Sequence, residues 1–232
     1  MPDKVRPERA TSANREIWNA IYGKGSVLLY PSEIFVRLFF RHGREAIRPG
    51  MTMLDHGAGS GNNTEFLIRR GLRVVATDIS QAALESIRQR FRYANLPFPE
   101  TRLIDPARPL SEQLPECDAA VSWDCLCYNT AERARQDIAD IIGRIRPGGL
   151  FFLSMVKREH DFISDAEEIA PGTYRYRGSA RDDQEGAIFC APESIEELES
   201  WCVGTETVAA GEFSYHDQNR RSENYFLVCR RK

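Results

Sequence analysis

The sequence predicts an α/β fold, a three-layer sandwich in which a mostly parallel seven-stranded sheet lies between helices. Near-continuous apolar runs alternate with segments whose apolar residues recur at the helical period. This alternation is typical of parallel strands that are buried on both faces. The last two strand-like runs, 205–215 and 223–230, are joined by a short polar segment, which permits only antiparallel pairing.

Residues 1–50 are predicted to form a helical cover over the sheet. Residues 1 to about 14 are polar and charged, and we expect a loosely held tail. A short helix is predicted from Arg15 to Tyr22, and Gly23 ends it. A second helix begins after Ser32, whose hydroxyl can cap it, and carries an apolar stripe of Ile34, Phe35, Leu38 and Phe39.

The central elements follow a regular order from residue 51 to residue 156. The predicted strands are 51–56, 73–78, 101–105, 117–124 and 150–156. Between them lie helices at 62–70, after a Ser80 cap and after a Thr130 cap. Residues 157–190 interrupt this rhythm and read as an inserted hairpin, followed by a helix near 192–201. We take residues 1–232 as one domain.

Composition narrows the class of partner. A net charge of -3 and a pI of about 5.9 argue against a general nucleic-acid binder. No run approaches the roughly 20 apolar residues of a membrane span, and the six cysteines form no C-x-x-C pair or zinc spacing. We therefore expect a reduced, cytoplasmic protein with a small-molecule partner, without metal, nucleic acid or membrane, and we allow for a homodimer.

The first strand-like run leads into a glycine-rich turn, Gly57-x-Gly59-x-Gly61, with Asp55 two residues ahead of it. Glycine suits such a turn because a side chain would block a ligand and because the backbone can require positive φ. The third glycine comes one residue too early for the dinucleotide fingerprint G-x-G-x-x-G. The stretch resembles motif I of the class I, Rossmann-like S-adenosylmethionine (SAM)-dependent methyltransferases of the small-molecule type.

Acids recur at the ends of the next strands. Asp78 follows Gly61 by 17 residues, and a carboxylate there can accept hydrogen bonds from both ribose hydroxyls. Asp105 ends the following strand and can accept from an adenine amine, while Ile79 and Ile104 can sandwich the ring. The alternative is that these acids only cap the helices that follow them.

The resemblance covers about residues 15–156 and the terminal hairpin, and it implies roles for individual residues. Asp55, Gly57, Gly59 and Gly61 would hold the methionine moiety, with the polar helix start at Asn62. Asp78 would bind the ribose and Asp105 the adenine, and Asp124 or its neighbours Ser122 and Trp123 would lie near the sulfonium. An aromatic residue of the N-terminal cover, Tyr22 or Tyr30, would close over the cofactor unless it only packs the helix to the sheet. His56 departs from the pattern, either as a buried structural histidine, which we favour, or as a group facing the pocket.

The resemblance implies in-line methyl transfer to an oxygen or nitrogen of a small acceptor, such as a sugar, a nucleotide-linked intermediate or a natural product. The candidate base is His160, which follows the strand at 150–156; His216, Asp124 and Tyr128 are alternatives. Arg175 and Arg177 alternate with tyrosines and would line the pocket if the acceptor is anionic. An adenosyl-binding regulatory protein, a non-methylating relative and a nicotinamide oxidoreductase remain alternative functions.

Overall fold

The computed structural model describes residues 7–178, 182–217 and 220–232. Within them the main strands of the first half lie where the apolar runs predict them. The strands are β1 (Thr52–His56), β2 (Arg73–Asp78), β3 (Glu100–Leu103), β4 (Cys117–Ser122), β5 (Ile145–Val156), β6 (Ala166–Ala170), β7 (Thr173–Tyr176), β8 (Ile188–Cys190), β9 (Thr205–Asp217) and β10 (Arg220–Arg231).

The predicted helix caps are present. The hydroxyls of Ser32, Ser80 and Thr130 each accept a hydrogen bond from the backbone N–H three residues later, which satisfies a donor that the helix itself cannot pair. The helices are α1 (Pro7–Gly23), α2 (Glu33–Leu38), α3 (Asn62–Arg69), α4 (Gln81–Ala94), α5 (Ala131–Arg144), α6 (Asp161–Ser164) and α7 (Ile195–Trp201), and a π-helical turn, Phe39–Gly43, continues α2.

The main sheet has seven strands in the order β3-β2-β1-β4-β5-β10-β9. Each pair from β3 to β5 is parallel, whereas β10 is antiparallel to both β5 and β9. The predicted fold class is therefore confirmed. The strand order reverses at β1, which lies between β2 and β4, and ligands of open parallel sheets bind beside the carboxyl ends of such strands.

The sheet is buried on both faces. Consecutive residues of β1, Met53 and Leu54, are both fully buried, but they belong to different hydrophobic clusters because successive side chains point to opposite faces. Phe151 and Phe152 divide in the same way on β5. One cluster packs under α5, the other under α2, and together they explain the near-continuous apolar runs of the sequence.

Two predictions about the elements are corrected. Residues 7–14, expected in a loose tail, form the start of α1, while residues 1–6 lie outside the described part. The fully buried Asn14 anchors this helix, because its amide bonds to the backbone of Tyr128 and Ile188 at 2.7–2.9 Å. The insertion forms a separate three-stranded antiparallel sheet, β6-β7-β8, in place of a hairpin.

None of the described helices is both long enough and apolar enough to cross a bilayer.

Candidate functional site

Two adjoining cavities open at the carboxyl ends of the parallel strands. The smaller, of about 80 Å³, lies beside Asp78, Ile79 and Ile104. The larger, of about 820 Å³, lies between the glycine turn, the N-terminal cover and β9, and its volume is typical of a small-molecule site. Five residues line both cavities and mark where they meet: Trp18, Tyr22, Gly57, Asp124 and Tyr128.

All three glycines of the turn have left-handed backbone angles, with φ of 72° at Gly57, 54° at Gly59 and 80° at Gly61. A Cβ on Gly57 would lie 2.0 Å from the Cys125 sulfur, and one on Gly59 would lie 2.4 Å from the Tyr22 hydroxyl. The protein's own packing therefore excludes side chains here. Gly57 and Gly59 line the larger cavity, whereas Gly61 lies directly before α3 and is not part of the lining.

Asp78 joins the end of β2 to the glycine turn. One carboxylate oxygen accepts a hydrogen bond from the Gly59 N–H at 2.9 Å, and the other accepts from the Ser80 N–H at 2.8 Å. Burial raises the pKa of Asp78 to about 6, although both backbone bonds lower it. Each oxygen retains a lone pair, and the residue faces the smaller cavity, so the carboxylate can accept further donors from a ligand.

Two other predicted acids lie outside the lining of both cavities. Asp55 is buried beneath the turn and accepts a hydrogen bond from the Thr64 hydroxyl at 2.5 Å, and burial raises its pKa to about 7. It therefore holds the first turn of α3 to β1. The Asp105 side chain is exposed and accepts from the Ala107 N–H at 3.0 Å, while its neighbours Ile104 and Pro106 line the smaller cavity, so its contact with an adenine ring stays a prediction.

Asp124 lies at the junction of the two cavities. Its φ of 52° is uncommon for a residue with a side chain. The Ser154 hydroxyl fixes it by accepting from the Asp124 N–H and donating to its carboxylate, both at 2.7 Å. The residue is exposed to the cavity space, yet surrounding protein desolvates its carboxylate and raises its pKa. Such a backbone outlier beside a cavity points to function.

Aromatic residues of α1 cover the glycine turn. Trp18 stacks on Tyr22 with ring centroids 5.8 Å apart, and Tyr128 packs edge-on against Trp18 at 4.8 Å. Burial, followed by the negative charge of Asp78, raises the pKa of the Tyr22 hydroxyl. Tyr22 thus stands over the turn as expected, and Trp18 beside it lines both cavities too.

The second predicted aromatic cover, Tyr30, is 81% exposed and lines the larger cavity. Its carbonyl accepts a hydrogen bond from the Asn62 side chain at 3.0 Å. Asn62 lines the same cavity, so the start of α3 and the cover are tied together at its edge.

His160, the predicted base, lies away from both cavities. Its Nδ1 caps α6 by accepting from the Phe162 N–H at 3.1 Å, and its Nε2 lies 3.4 Å from the Ser222 hydroxyl. The ring also stacks on Phe162, with centroids 4.5 Å apart. His216 bonds to Glu223 at 2.8 Å and is likewise outside the lining. Both histidines therefore serve local structure, and the prediction for His160 is corrected.

His56 is buried and also borders the pocket, so both predictions for it apply. It is buried, with Nδ1 3.0 Å from the Thr77 hydroxyl, and it lines the smaller cavity. Burial lowers its pKa to about 4, so the imidazole is neutral near pH 7. A neutral ring can border an uncharged ligand without introducing a cation.

The predicted arginine face points away from the site. Tyr174 and Tyr176 are buried, so the alternate residues Arg175 and Arg177 face outward. Arg177 forms an exposed ion pair with Glu167 at 3.0 Å, and neither arginine lines either cavity. The larger apolar area of the tyrosines decides which face packs inward. The prediction of an arginine-lined pocket for an anion is therefore corrected.

Sequence reasoning missed the remaining walls. A largely buried ion pair between Arg133 and Asp137, at 2.6 Å, lines the smaller cavity. Their spacing of four residues on α5 was a signal for this pair. Phe213 and Tyr215 line the larger cavity from β9, where their alternation puts both on one face. Within the described residues, no cluster of three metal-binding side chains occurs.

The comparisons with known proteins agree with this geometry. Residues 53–149 match a family model described as a methyltransferase domain, and no curated protein matches the chain significantly. A SAM-dependent methyltransferase from Anabaena variabilis is 17% identical, with 100% of this chain and 97% of that chain covered and a TM-score of 0.71.

Two further solved structures have cofactor or product bound. A 1,6-didemethyltoxoflavin-N1-methyltransferase from Burkholderia thailandensis, with 1,6-didemethyltoxoflavin and S-adenosylhomocysteine, is 19% identical; 98% of this chain and 91% of that chain are covered, with a TM-score of 0.65. A magnesium protoporphyrin IX methyltransferase from Synechocystis, with SAM, is also 19% identical; 97% of this chain and 95% of that chain are covered, with a TM-score of 0.56. At these identities the likeness establishes the fold.

Proposed function

We propose that this chain is a class I SAM-dependent methyltransferase and that it methylates an oxygen or nitrogen atom of a small molecule. The observation that carries the proposal is the meeting of two cavities at one point. A narrow compartment beside Asp78 and a wide one beside β9 share the glycine turn and Asp124. A donor and an acceptor held in these compartments would face each other at that junction.

The residues present fit the cofactor. Ile79 and Ile104 border the smaller cavity and suit the faces of an adenine ring, and Asp78 offers lone pairs to ribose hydroxyls. Gly57 and Gly59 line the larger cavity beside the start of α3, where helix amides favour a carboxylate. When bound, the cofactor supplies an electrophilic methyl group, whose bond to sulfur breaks as the bond from the acceptor atom forms.

The chain's own contribution is positioning, exclusion of water and removal of a proton. Trp18 and Tyr22 cover the junction and limit its hydration, and most of the rate of such a displacement comes from alignment. Asp124 replaces His160 as the proposed base, because it is the carboxylate at the junction and Ser154 fixes its orientation. Its raised pKa brings proton affinity closer to working pH.

The size of the larger cavity supports a small acceptor, and the toxoflavin enzyme provides a precedent for an acceptor and S-adenosylhomocysteine in the same fold. We propose a biosynthetic role on a natural product, sugar or nucleotide-linked compound. Cytoplasmic location and a single-domain organisation over residues 1–232, with 1–50 as cover and 157–190 as an insertion, remain part of the proposal.

The direct test is calorimetric titration with SAM and S-adenosylhomocysteine, followed by a methyl-transfer assay over an acceptor panel. We expect both nucleosides to bind and at least one acceptor to be methylated. Tight binding without transfer to any acceptor would instead favour a regulatory adenosyl-binding protein. Binding of NADH without binding of SAM would refute the proposal.

A further inference from the structure

The larger cavity has aromatic walls on two sides. Trp18, Tyr22 and Tyr128 form the wall under α1, and Trp123, Phe213 and Tyr215 form the wall against β9. Within each wall two rings are nearly parallel: the Trp18 and Tyr22 planes differ by 30°, and those of Trp123 and Phe213 by 17°, each pair at 5.8 Å. The cavity therefore offers aromatic surface from both groups of residues to its occupant.

Some of this aromatic surface is exposed. Tyr215 is 65% exposed and Phe213 is half-buried, although both belong to a strand of the main sheet. Exposed aromatic area gathered beside a cavity marks a binding surface. Aromatic rings favour flat partners, because stacked and edge-on arrangements of π systems are both attractive. A saturated, puckered molecule of the same size would make poorer contact.

The charge of the cavity is equally selective. The described residues that line it include two acids, Asp124 and Asp183, but no lysine, arginine or histidine. An anionic acceptor beside Asp124, without a basic side chain in the described lining to pair with, would be repelled in a partly desolvated space. This pattern is opposite to the arginine-lined pocket that the sequence predicted.

Asp124 adds a requirement on the reacting group. Asp124 lines the cavity and Ser154 fixes its carboxylate, which can accept a further hydrogen bond from an N–H or O–H of the acceptor. As the acceptor atom bonds to the methyl group, its proton passes to this carboxylate, and S-adenosylhomocysteine is the other product. Charge is thus balanced without a further reactant.

We infer that the acceptor is a planar aromatic or heteroaromatic molecule without negative charge, which presents a ring-borne N–H or O–H to Asp124. This inference rests on the proposed function and specifies its substrate class.

The test measures acceptor binding to the protein saturated with S-adenosylhomocysteine, so that it does not depend on turnover. Isothermal titration compares naphthol and aminoquinoline with three matched compounds. Decalinol keeps the size and hydroxyl without the planar ring, naphthol sulfonate adds a negative charge, and methoxynaphthalene keeps the ring without the O–H. We expect the planar, uncharged donors to bind about tenfold or more tightly than each matched compound.

Variants test the walls and the carboxylate separately. Tyr215→Ala removes a largely exposed ring and leaves the core untouched, and we expect naphthol to bind about tenfold more weakly while S-adenosylhomocysteine affinity is unchanged. Tyr93→Ala is the matched control, because Tyr93 is 96% exposed on α4 and lies outside both cavities. In Asp124→Ala, the preference for naphthol over methoxynaphthalene should be lost.

The outcomes separate this inference from the proposed function. If S-adenosylhomocysteine does not bind, the proposed function fails and this inference fails with it. If it binds but decalinol or naphthol sulfonate equals or exceeds naphthol, only the inference is overturned. The same holds if no planar member binds the saturated protein, or if Tyr215→Ala and Tyr93→Ala behave alike.

Discussion

Replacement of Asp78 by asparagine should weaken S-adenosylhomocysteine binding through the loss of one charged acceptor. The two carboxylate oxygens already accept from the Gly59 and Ser80 N–H groups, so an amide can satisfy only one of these donors with its single oxygen. One hydrogen bond to a charged group contributes about 1.5–3 kcal/mol. At near-neutral pH we therefore expect affinity to fall by about 10- to 100-fold.

The pH dependence makes this prediction sharper. Burial raises the pKa of Asp78 to about 6 in the free protein, and hydroxyl donors from a ribose favour the ionised form. Affinity should therefore weaken as the pH falls through that value, and roughly one unit lower only about a tenth of the carboxyl is ionised, which costs about tenfold in affinity. The amide introduced by Asp78→Asn does not titrate, so the difference in affinity between wild type and this variant should narrow at low pH.

Calorimetric titration with S-adenosylhomocysteine across this pH range provides the measurement, and urea denaturation checks that both proteins are folded. Asp118→Asn is the control, because Asp118 also accepts a backbone N–H bond, from Thr52 at 2.8 Å, but lies outside both cavities. Equal affinity of wild type and Asp78→Asn, or curves that stay parallel with pH, would refute the role assigned to Asp78.

Three further substitutions test the site. Gly59→Ala should lower the free energy of unfolding by about 1–2 kcal/mol, because its φ is positive, and should also displace Tyr22 and so weaken S-adenosylhomocysteine binding. Gly204→Ala is the control in urea titrations: its φ is also positive but its surroundings are open, so it should lose stability without losing binding. Ser154→Ala removes a bond that lowers the Asp124 pKa, so the acidic limb of the pH-rate profile should move to higher pH; an unmoved limb contradicts this. His160→Asn keeps a capping side chain and should leave kcat within about twofold, and a loss of about 100-fold would return catalysis to His160.

The parts of the fold that the sequence predicted are those with local causes. Ser80 and Thr130 cap helices because their hydroxyls reach a donor three residues away, and no distant contact is required. The left-handed angles of Gly57 and Gly59 arise equally from the turn itself. Asp78 and Asp124 could be placed at one edge because parallel strands carry their carboxyl ends there.

The errors arise where contacts with distant parts of the chain determine the environment of a side chain. Alternation along β7 separates tyrosines from arginines, but it does not say which face is covered, and the packing of Tyr174 and Tyr176 determined that Arg175 turns outward. Asp55 and Asp78 both lie at the carboxyl ends of strands. The Thr64 hydroxyl bonds to Asp55, whereas Asp78 lines the smaller cavity. Local sequence cannot separate these two carboxylates.

The anchoring of α1 by Asn14 has a consequence for the order in which the protein matures on the ribosome. Asn14 bonds to backbone groups 114 and 174 positions further along the chain. A nascent chain therefore contains this helix well before its distant partners, and the bonds between Asn14 and Ile188 form only after Ile188 has left the exit tunnel. The anchoring of α1 above the glycine turn is consequently completed late, and chains that stop before Ile188 lack these bonds.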